Sequence, residues 1–242
     1  MTAYREILYR KYHSTQENRQ GENEAVLFDQ QVYYFSKEIV PLLPSDKHVK
    51  ILEIGCGNGS LIKTMLNADF KDITGIDLSK EQVDVARKLG VAQAHCISAV
   101  DYLNGKREVF DVILAIDVIE HFTKNEIVNF LEMVLAALKP GGMVIFRTPN
   151  MDAPLTSLYS YGDFTHECLL NKSSALQLMK STGFSEADVL PSMIHVQGVL
   201  KEALRKIIWS LTLLSIKAML FASGRTWKDA VFTPNLIIIG KK

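Results

Sequence analysis

Two groups of residues in this 242-residue chain have the types and spacing for chemistry. The first is Glu53-Ile54-Gly55-Cys56-Gly57-Asn58-Gly59, followed downstream by Asp77 at the end of ITGID. Alternate glycines let a backbone turn sharply and approach a ligand where a Cβ would collide. A helix opening directly after them brings unpaired N–H groups to the same place. A carboxylate at Asp77 can accept two hydrogen bonds from a ribose diol, so the group suits an adenosine-type ligand. The spacing is G-x-G-x-G and not the G-x-G-x-x-G of pyrophosphate sites. Glu53 would repel a pyrophosphate but suits a ligand ammonium.

The second group is Asp117-x-x-Glu120-His121, with a later imidazole at His166 inside Gly162-Asp163-Phe164-Thr165-His166-Glu167. A group-transfer reaction onto a hydroxyl needs a base near neutrality, and histidine is the natural one. His166 is the first candidate and His121 the second. His13, His48 and His95 have no such surroundings and read as surface or packing residues. Cys56 reads as a small packing residue within the glycine turn, not as a nucleophile.

These groups have to be held by an ordered set of elements. VKILEIG (49–55), DITGID (72–77), AHCIS (94–98), VFDVILAID (109–117) and MVIFRT (143–148) read as buried strands, the third weaker than the rest. Helices alternate with them at 60–67, from Ser79 to Gly90, and from Thr123 to Leu138. Ser79 with Gln82 and Thr123 with Glu126 have capping-box spacing. LKPGG (138–142) reads as a turn. Such alternation predicts an α/β fold with a doubly wound, Rossmann-like parallel sheet. An N-terminal helical arm at 1–45, with Tyr4, Tyr9 and Tyr12 spaced along its start, reads as packing or as a lid. Residues 46–150 form the ligand-binding core. Residues 151–242 add a loop, a helix at 172–182, a late strand in FSEADVLPS, a helical insertion at about 199–223 and a closing strand in VFTPNLIIIG. That strand is the natural antiparallel partner for the sheet edge. The insertion carries Leu200, Leu204, Ile207, Leu211, Leu214, Ala218 and Phe221 at helical spacing. It reads as packed on the sheet or at a homodimer seam, or as an interfacial helix in peripheral contact with a membrane. Its place between the late strands also puts it beside the acceptor.

Composition sets outer bounds. Lys plus Arg and Asp plus Glu are 27 each, so no charge excess favours nucleic acid and no DNA partner is expected. Three cysteines are too few for a disulfide framework, and the N-terminal stretch has no apolar signal segment. The expected location is cytoplasmic, with peripheral attachment at the inner face of the membrane as the variant.

The G-x-G-x-G spacing and Glu53 favour S-adenosylmethionine, an adenosine ligand that carries no phosphate. LEIGCGNG, ITGIDLS, VILAIDVIEHF and LKPGGMVIFRTPN, in this order over about 49–150, resemble class I S-adenosylmethionine-dependent methyltransferases. The resemblance implies a seven-stranded sheet with its last strand antiparallel. It implies that the loop bearing Gly55, Cys56, Gly57 and Gly59 wraps the methionine part, that Asp77 holds the ribose and that Leu78 flanks the adenine. Ser98 and Ala99 stand where relatives often carry an acidic adenine contact, with Asp101 nearby. Asp117 faces cofactor or substrate. Asp117, Glu120, His121 and His166 also resemble the metal sites of small-RNA 2′-O-methyltransferases and, in part, ubiquinone-biosynthesis O-methyltransferases, and could hold a divalent cation. A looser likeness to methyltransferases of bacterial polysaccharide and sugar modification implies a sugar or glycan hydroxyl as acceptor. The alternative acceptor is a small aromatic or quinone-type hydroxyl near a membrane. A nicotinamide-dependent reductase and a catalytically silent S-adenosylmethionine-binding module are the rivals from other classes.

Overall fold

A computed structural model describes residues 3–10, 24–193, 196 and 198–242. Tyr12 and His13 lie outside the described residues. In chain order, α1 is Ala3–Arg10 and α2 Glu24–Glu38. A β-α alternation follows: β1 Ile51–Ile54, α3 Ser60–Asn67, β2 Ile73–Asp77, α4 Lys80–Lys88, β3 Ala94–Cys96, α5 Ala99–Leu103 and β4 Phe110–Ile116. Then come α6 Lys124–Ala137, β5 Leu138–Pro149, α7 Ser157–Ser160, α8 Lys172–Ser181, β6 Glu186–Ser192, α9 Val199–Ala222 and β7 Asn235–Lys241.

The seven strands form one sheet in the order β3-β2-β1-β4-β5-β7-β6. The pairs from β3 through β5 are parallel, and β7 runs antiparallel to both neighbours. The expected antiparallel last strand is therefore present, but it does not form the edge. It is inserted between β5 and β6, which explains why LIII of β7 is apolar throughout: a strand with a neighbour on each side and helices over both faces is buried all round.

Strand alternation divides the core in two. Val144, Phe146, Leu236 and Ile238 point to the face covered by α6 and α8, packing with Phe130, Val134 and Met179. Ile145 and Ile237 point to the opposite face, where α2, α3 and α4 supply Phe35, Met65 and Ala86. Truncating a fully buried aromatic such as Phe130 or Phe146 to Ala would cost about 3–5 kcal/mol.

The helix starts follow local chemistry. Ser79 accepts from the backbone N of Gln82, and Thr123 and Glu126 form the full reciprocal capping box. LKPGG differs from expectation. It is not a free turn but an excursion inside β5, whose register steps from Leu138 opposite Phe110 to Met143 opposite Val112. Gly141 at φ 74° makes that bend possible. The short α5 has no counterpart in the sequence reading; at five residues it is too brief to show a period.

The long insertion differs most. Helix α9 has its expected bounds, yet none of its residues is buried. Of the expected placements, packing on the sheet does not occur, and the stripe faces outward as a dimer seam or an interfacial helix would leave it, with Leu200 86% and Phe221 76% exposed. The half-buried side is the other one, carrying Glu202, Arg205, Trp209 and Ile216.

Candidate functional site

A cavity of about 670 Å³ opens at the carboxyl ends of β1, β2 and β4, where the strand order reverses. Doubly wound sheets place ligands at such a crevice.

Its floor is the glycine turn. Gly55 and Cys56 donate their N–H groups to the Ile76 carbonyl at 2.8 and 3.0 Å, pinning the turn to β2. Gly55 has φ 72°, and a Cβ there would sit 2.3 Å from Val118 Cγ2. Only glycine satisfies both demands. Gly59 also has a positive φ, but a Cβ on it would meet Val91 at 2.9 Å. Gly59 thus lets the start of α3 pack against the connection between α4 and β3, while Gly55, Cys56 and Gly57 line the cavity. Cys56 is buried, and burial pushes its thiol up, so the nucleophilic thiolate is disfavoured.

Two carboxylates face this floor. Asp77 Oδ2 accepts from Gly57 N at 2.8 Å and Oδ1 from Ser79 N at 2.7 Å. Each oxygen keeps a further lone pair, which a ribose diol could use. Burial holds the Asp77 carboxyl above its ordinary value against those two bonds. Glu53 is only 3% exposed, and its Oε2 has no hydrogen-bond partner. Burial, with a contribution from Asp77, raises Glu53 well above the carboxylate range. A buried carboxyl that is orphaned and kept neutral is costly unless a cation comes to it. The ammonium of S-adenosylmethionine fits that need. Leu78, Ser98 and Ala99 also line the cavity. The Ser98 hydroxyl is engaged in capping α5, accepting from Asp101 N and donating to Asp101 Oδ2 at 2.6 Å. The acidic function on that wall thus belongs to Asp101.

At the far part of the cavity the second group has separated. Asp117 ends β4 at φ 55°, an uncommon conformation outside glycine. Both its carboxylate oxygens bond the Arg147 guanidinium. Arg147 also lies 3.7 Å from Glu38 and over the rings of Tyr34 and Phe35. Burial works against its charge, but Asp117, Tyr34 and Glu38 hold it above its ordinary value. Asp117 is therefore not with the three other residues of the expected metal set. Glu120, His121 and His166 do converge, with ligand atoms within 4.8 Å of one another.

His121 lines the cavity, and His166 stands edge-on to it with ring centroids 4.8 Å apart. Thr165 Oγ1 donates to Asp163 Oδ1 at 2.6 Å, so it must accept from His121 Nδ1 at 2.8 Å. His166 Nδ1 donates to the Ser160 carbonyl at 2.9 Å. Both rings then carry their lone pair on Nε2. Burial, with His166 nearby, pushes His121 down to about 4. Glu120 is buried behind them. Its Oε2 accepts from Thr148 at 3.1 Å, its Oε1 has no hydrogen-bond partner, and burial with Asp117 raises it well above the usual range. Two imidazoles and a buried carboxyl with one oxygen unbonded are a donor set that fits a divalent cation of borderline softness.

Above the site sits α1. Arg5 is buried, bonds both Glu126 oxygens at 2.8 Å, and donates to the His121 carbonyl at 2.7 Å. Tyr9 stands edge-on to His121 at 6.3 Å and lines the cavity. The arm therefore lies over the site. No sequence signal singles out Arg5. Arg147 has a faint one, a charge at the end of the buried run MVIF.

With this geometry in place, comparison with known proteins is direct. Residues 52–144 match the family described as a methyltransferase domain. Those residues carry the glycine turn, Asp77 and Asp117, so the cavity-forming part of the sheet resembles a methyltransferase domain. Among curated relatives, the ubiquinone biosynthesis O-methyltransferase of Hydrogenovibrio crunogenus is 25% identical over 162 residues, 60% of this chain and 66% of that protein. The enzyme of the same name from Bartonella tribocorum is 33% identical over 123 residues, 48% of this chain and 47% of that one. This chain thus spans less than two thirds of these relatives. An S-adenosylmethionine-dependent methyltransferase from Archaeoglobus fulgidus shares the fold at TM-score 0.63 and 17% identity, over 96% of this chain and 99% of that one. The plantazolicin methyltransferase, solved with S-adenosylhomocysteine, does so at 0.57 and 21%, over 96% and 90%.

Proposed function

We propose that this methyltransferase transfers a methyl group from S-adenosylmethionine to the hydroxyl of a small aromatic acceptor. The observation that carries the reading is the wall around His121. Tyr9, Val118 and Phe122 line the cavity with it, and Phe35 lines it beside Arg147. These apolar and aromatic side chains suit a flat ring, and the charged groups among them are engaged in pairs, Arg5 with Glu126 and Asp117 with Arg147. A sugar would need several offered donors and acceptors, but Asp117 and Arg147 are spent on each other. The glycan acceptor expected from the arrangement of the chain gives way on that ground. The name of the curated relatives, ubiquinone biosynthesis O-methyltransferase, supports an O-methylation of this type.

Bound S-adenosylmethionine supplies an electrophilic methyl on a cationic sulfur. The chain does the rest by position. Glu53 meets the ammonium, Asp77 the ribose diol, and Leu78 flanks the base. His121 takes the acceptor's hydroxyl proton on Nε2, held in that orientation by Thr165 and Asp163. Proton transfer to an imidazole pushed down to about 4 is far easier from a phenol, near 10, than from an aliphatic alcohol, about five units higher. Arg5 and Tyr9 exclude water from the reacting face.

A metal-assisted form of the same reaction has its own support in the orphaned Glu120 Oε1 beside two imidazoles. A divalent cation held by Glu120, His121 and His166 would acidify the acceptor hydroxyl. One experiment tests both: transfer of labelled methyl from S-adenosylmethionine to a catechol-type phenol and to free hexoses, with and without chelator. Label in the phenol is the expected result, and loss of transfer on chelation assigns the metal-assisted form. Label in hexose alone overturns the reading.

A further inference from the structure

The observation is the outward face of α9. Leu200, Leu204, Ile207, Leu211 and Leu214 recur every three or four residues, Phe221 follows seven later on the same side, and each is more than half exposed. At 1.5 Å per residue the stripe runs roughly 30 Å, a far larger apolar surface than scattered exposed residues explain. Something covers it.

Charge selects what. Within α9 the sole acidic residue is Glu202, which lies on the half-buried side and is paired with Arg205 at 2.6 and 2.8 Å. Lys201 is exposed along one border of the stripe and Lys206 along the other, and Arg225 and Lys228 stand exposed just past its end. In a chain whose charges balance overall, this surface is positive. A second copy of α9 is a poor occupant. Laid antiparallel, it would set Lys201 and Lys206 against Arg225 and Lys228; laid parallel, it would set each against itself. A spanning mode is excluded too, since among the described residues no helix is long and apolar enough to cross a membrane. An apolar stripe bordered by lysines matches the interface of an anionic lipid surface, with alkyl stems in the acyl boundary and ammonium groups at the phosphates.

Topology puts this helix at the site. Pro149 of β5, Asn235 of β7 and Ser192 of β6 are level across the sheet. The segment carrying α9 and the loop after β5 therefore leave from the carboxyl end of the parallel strands, the end that holds the cavity. That loop exposes Leu155, Tyr161 and Phe164.

We infer that α9 lies flat on an anionic membrane and brings the cavity mouth to lipid-borne acceptors. The membrane contact stands on the helix alone, while the acceptor clause rests on the methyltransferase reading above. The test is sedimentation of the full chain with phosphatidylcholine vesicles containing phosphatidylglycerol, beside vesicles of phosphatidylcholine alone. The chain should sediment with the anionic vesicles and be released by high salt. Leu204→Glu with Leu211→Glu should weaken that binding about tenfold or more while leaving the melting temperature unchanged, because both side chains are exposed. Failure to sediment, or sedimentation unaffected by the double substitution, overturns the inference. So does a solution mass of two chains that the double substitution reduces to one. None of these readouts involves methyl transfer, so they stand apart from the outcome of the acceptor assay.

Discussion

At the scale of the residue, the site is built from carboxyls and one imidazole, His121, whose ordinary charges burial suppresses. Glu53 is the sharpest case. Its proton is retained in the folded chain above the pH at which an unfolded glutamate loses it, so over that window the native state binds more protons. Stability then falls as pH rises from the ordinary glutamate range toward the raised value. Glu53→Gln removes that penalty, so the melting temperature at neutral pH is expected to rise. Binding of S-adenosylhomocysteine should weaken by about tenfold or more, because the ammonium loses its counter-charge. Titration calorimetry in buffers of different ionisation enthalpy checks the same group: ligand binding to the wild type should release a proton, and binding to the variant should not. For His121, the expected result of His121→Asn is a loss of about 100-fold or more in kcat, with cofactor affinity unchanged. In the wild type the acid limb of kcat/KM should fall as the pH nears about 4, not near the ordinary histidine value of 6.5.

At the scale of the element, two contacts decide whether the cradle keeps its shape. Gly59 sits at φ 79° at the start of α3 and against Val91. Gly59→Ala should cost about 1–3 kcal/mol in chemical denaturation, since the backbone becomes strained and the methyl meets a branched side chain. Adding Val91→Ala should recover only the steric part. Arg5 ties α1 to the N-terminus of α6 and to the carbonyl of His121. Arg5→Ala leaves Glu126 in its capping box, so α6 should stay intact by circular dichroism. The expected change is faster ligand dissociation, seen in stopped-flow fluorescence, as α1 loses its hold over the cavity. Much of this level was legible beforehand. The bounds of α3 and α9 match the periodic runs, and both capping residues of the Thr123 box behave as their spacing implies. The short α5 and the excursion within β5 were not, because five residues carry no period and because a Pro-Gly-Gly run looks the same in a turn and in a bulged strand.

At the scale of the whole molecule, charge and hydrophobicity are distributed unevenly around a neutral average. The parallel half of the sheet is sealed between two helical layers, while α9 keeps its apolar side in solvent. Because the cavity is lined by residues from α1 through β5, a ligand there should stabilise the fold as a unit. S-adenosylhomocysteine at about 100 times its dissociation constant is expected to add about 2.7 kcal/mol to unfolding, and to shift the melting curve accordingly. In Glu53→Gln the same concentration should shift it far less.

What the sequence determined by itself is whatever is written in short, local patterns. Strand and helix alternation, the glycine turn after β1, the acid at the end of β2 and the paired Glu120–His121 are all contiguous or nearly so. Each follows from steric or hydrogen-bonding rules acting over a few residues. Tertiary structure alone decided the relations between distant segments. It inserted β7 between β5 and β6, took Asp117 away from its neighbours to pair with Arg147, and set His121, not His166, on the cavity wall. It also turned the apolar stripe of α9 outward. Periodicity shows that a helix has an apolar side but says nothing of where that side points, because direction is set by the elements that pack against the other face.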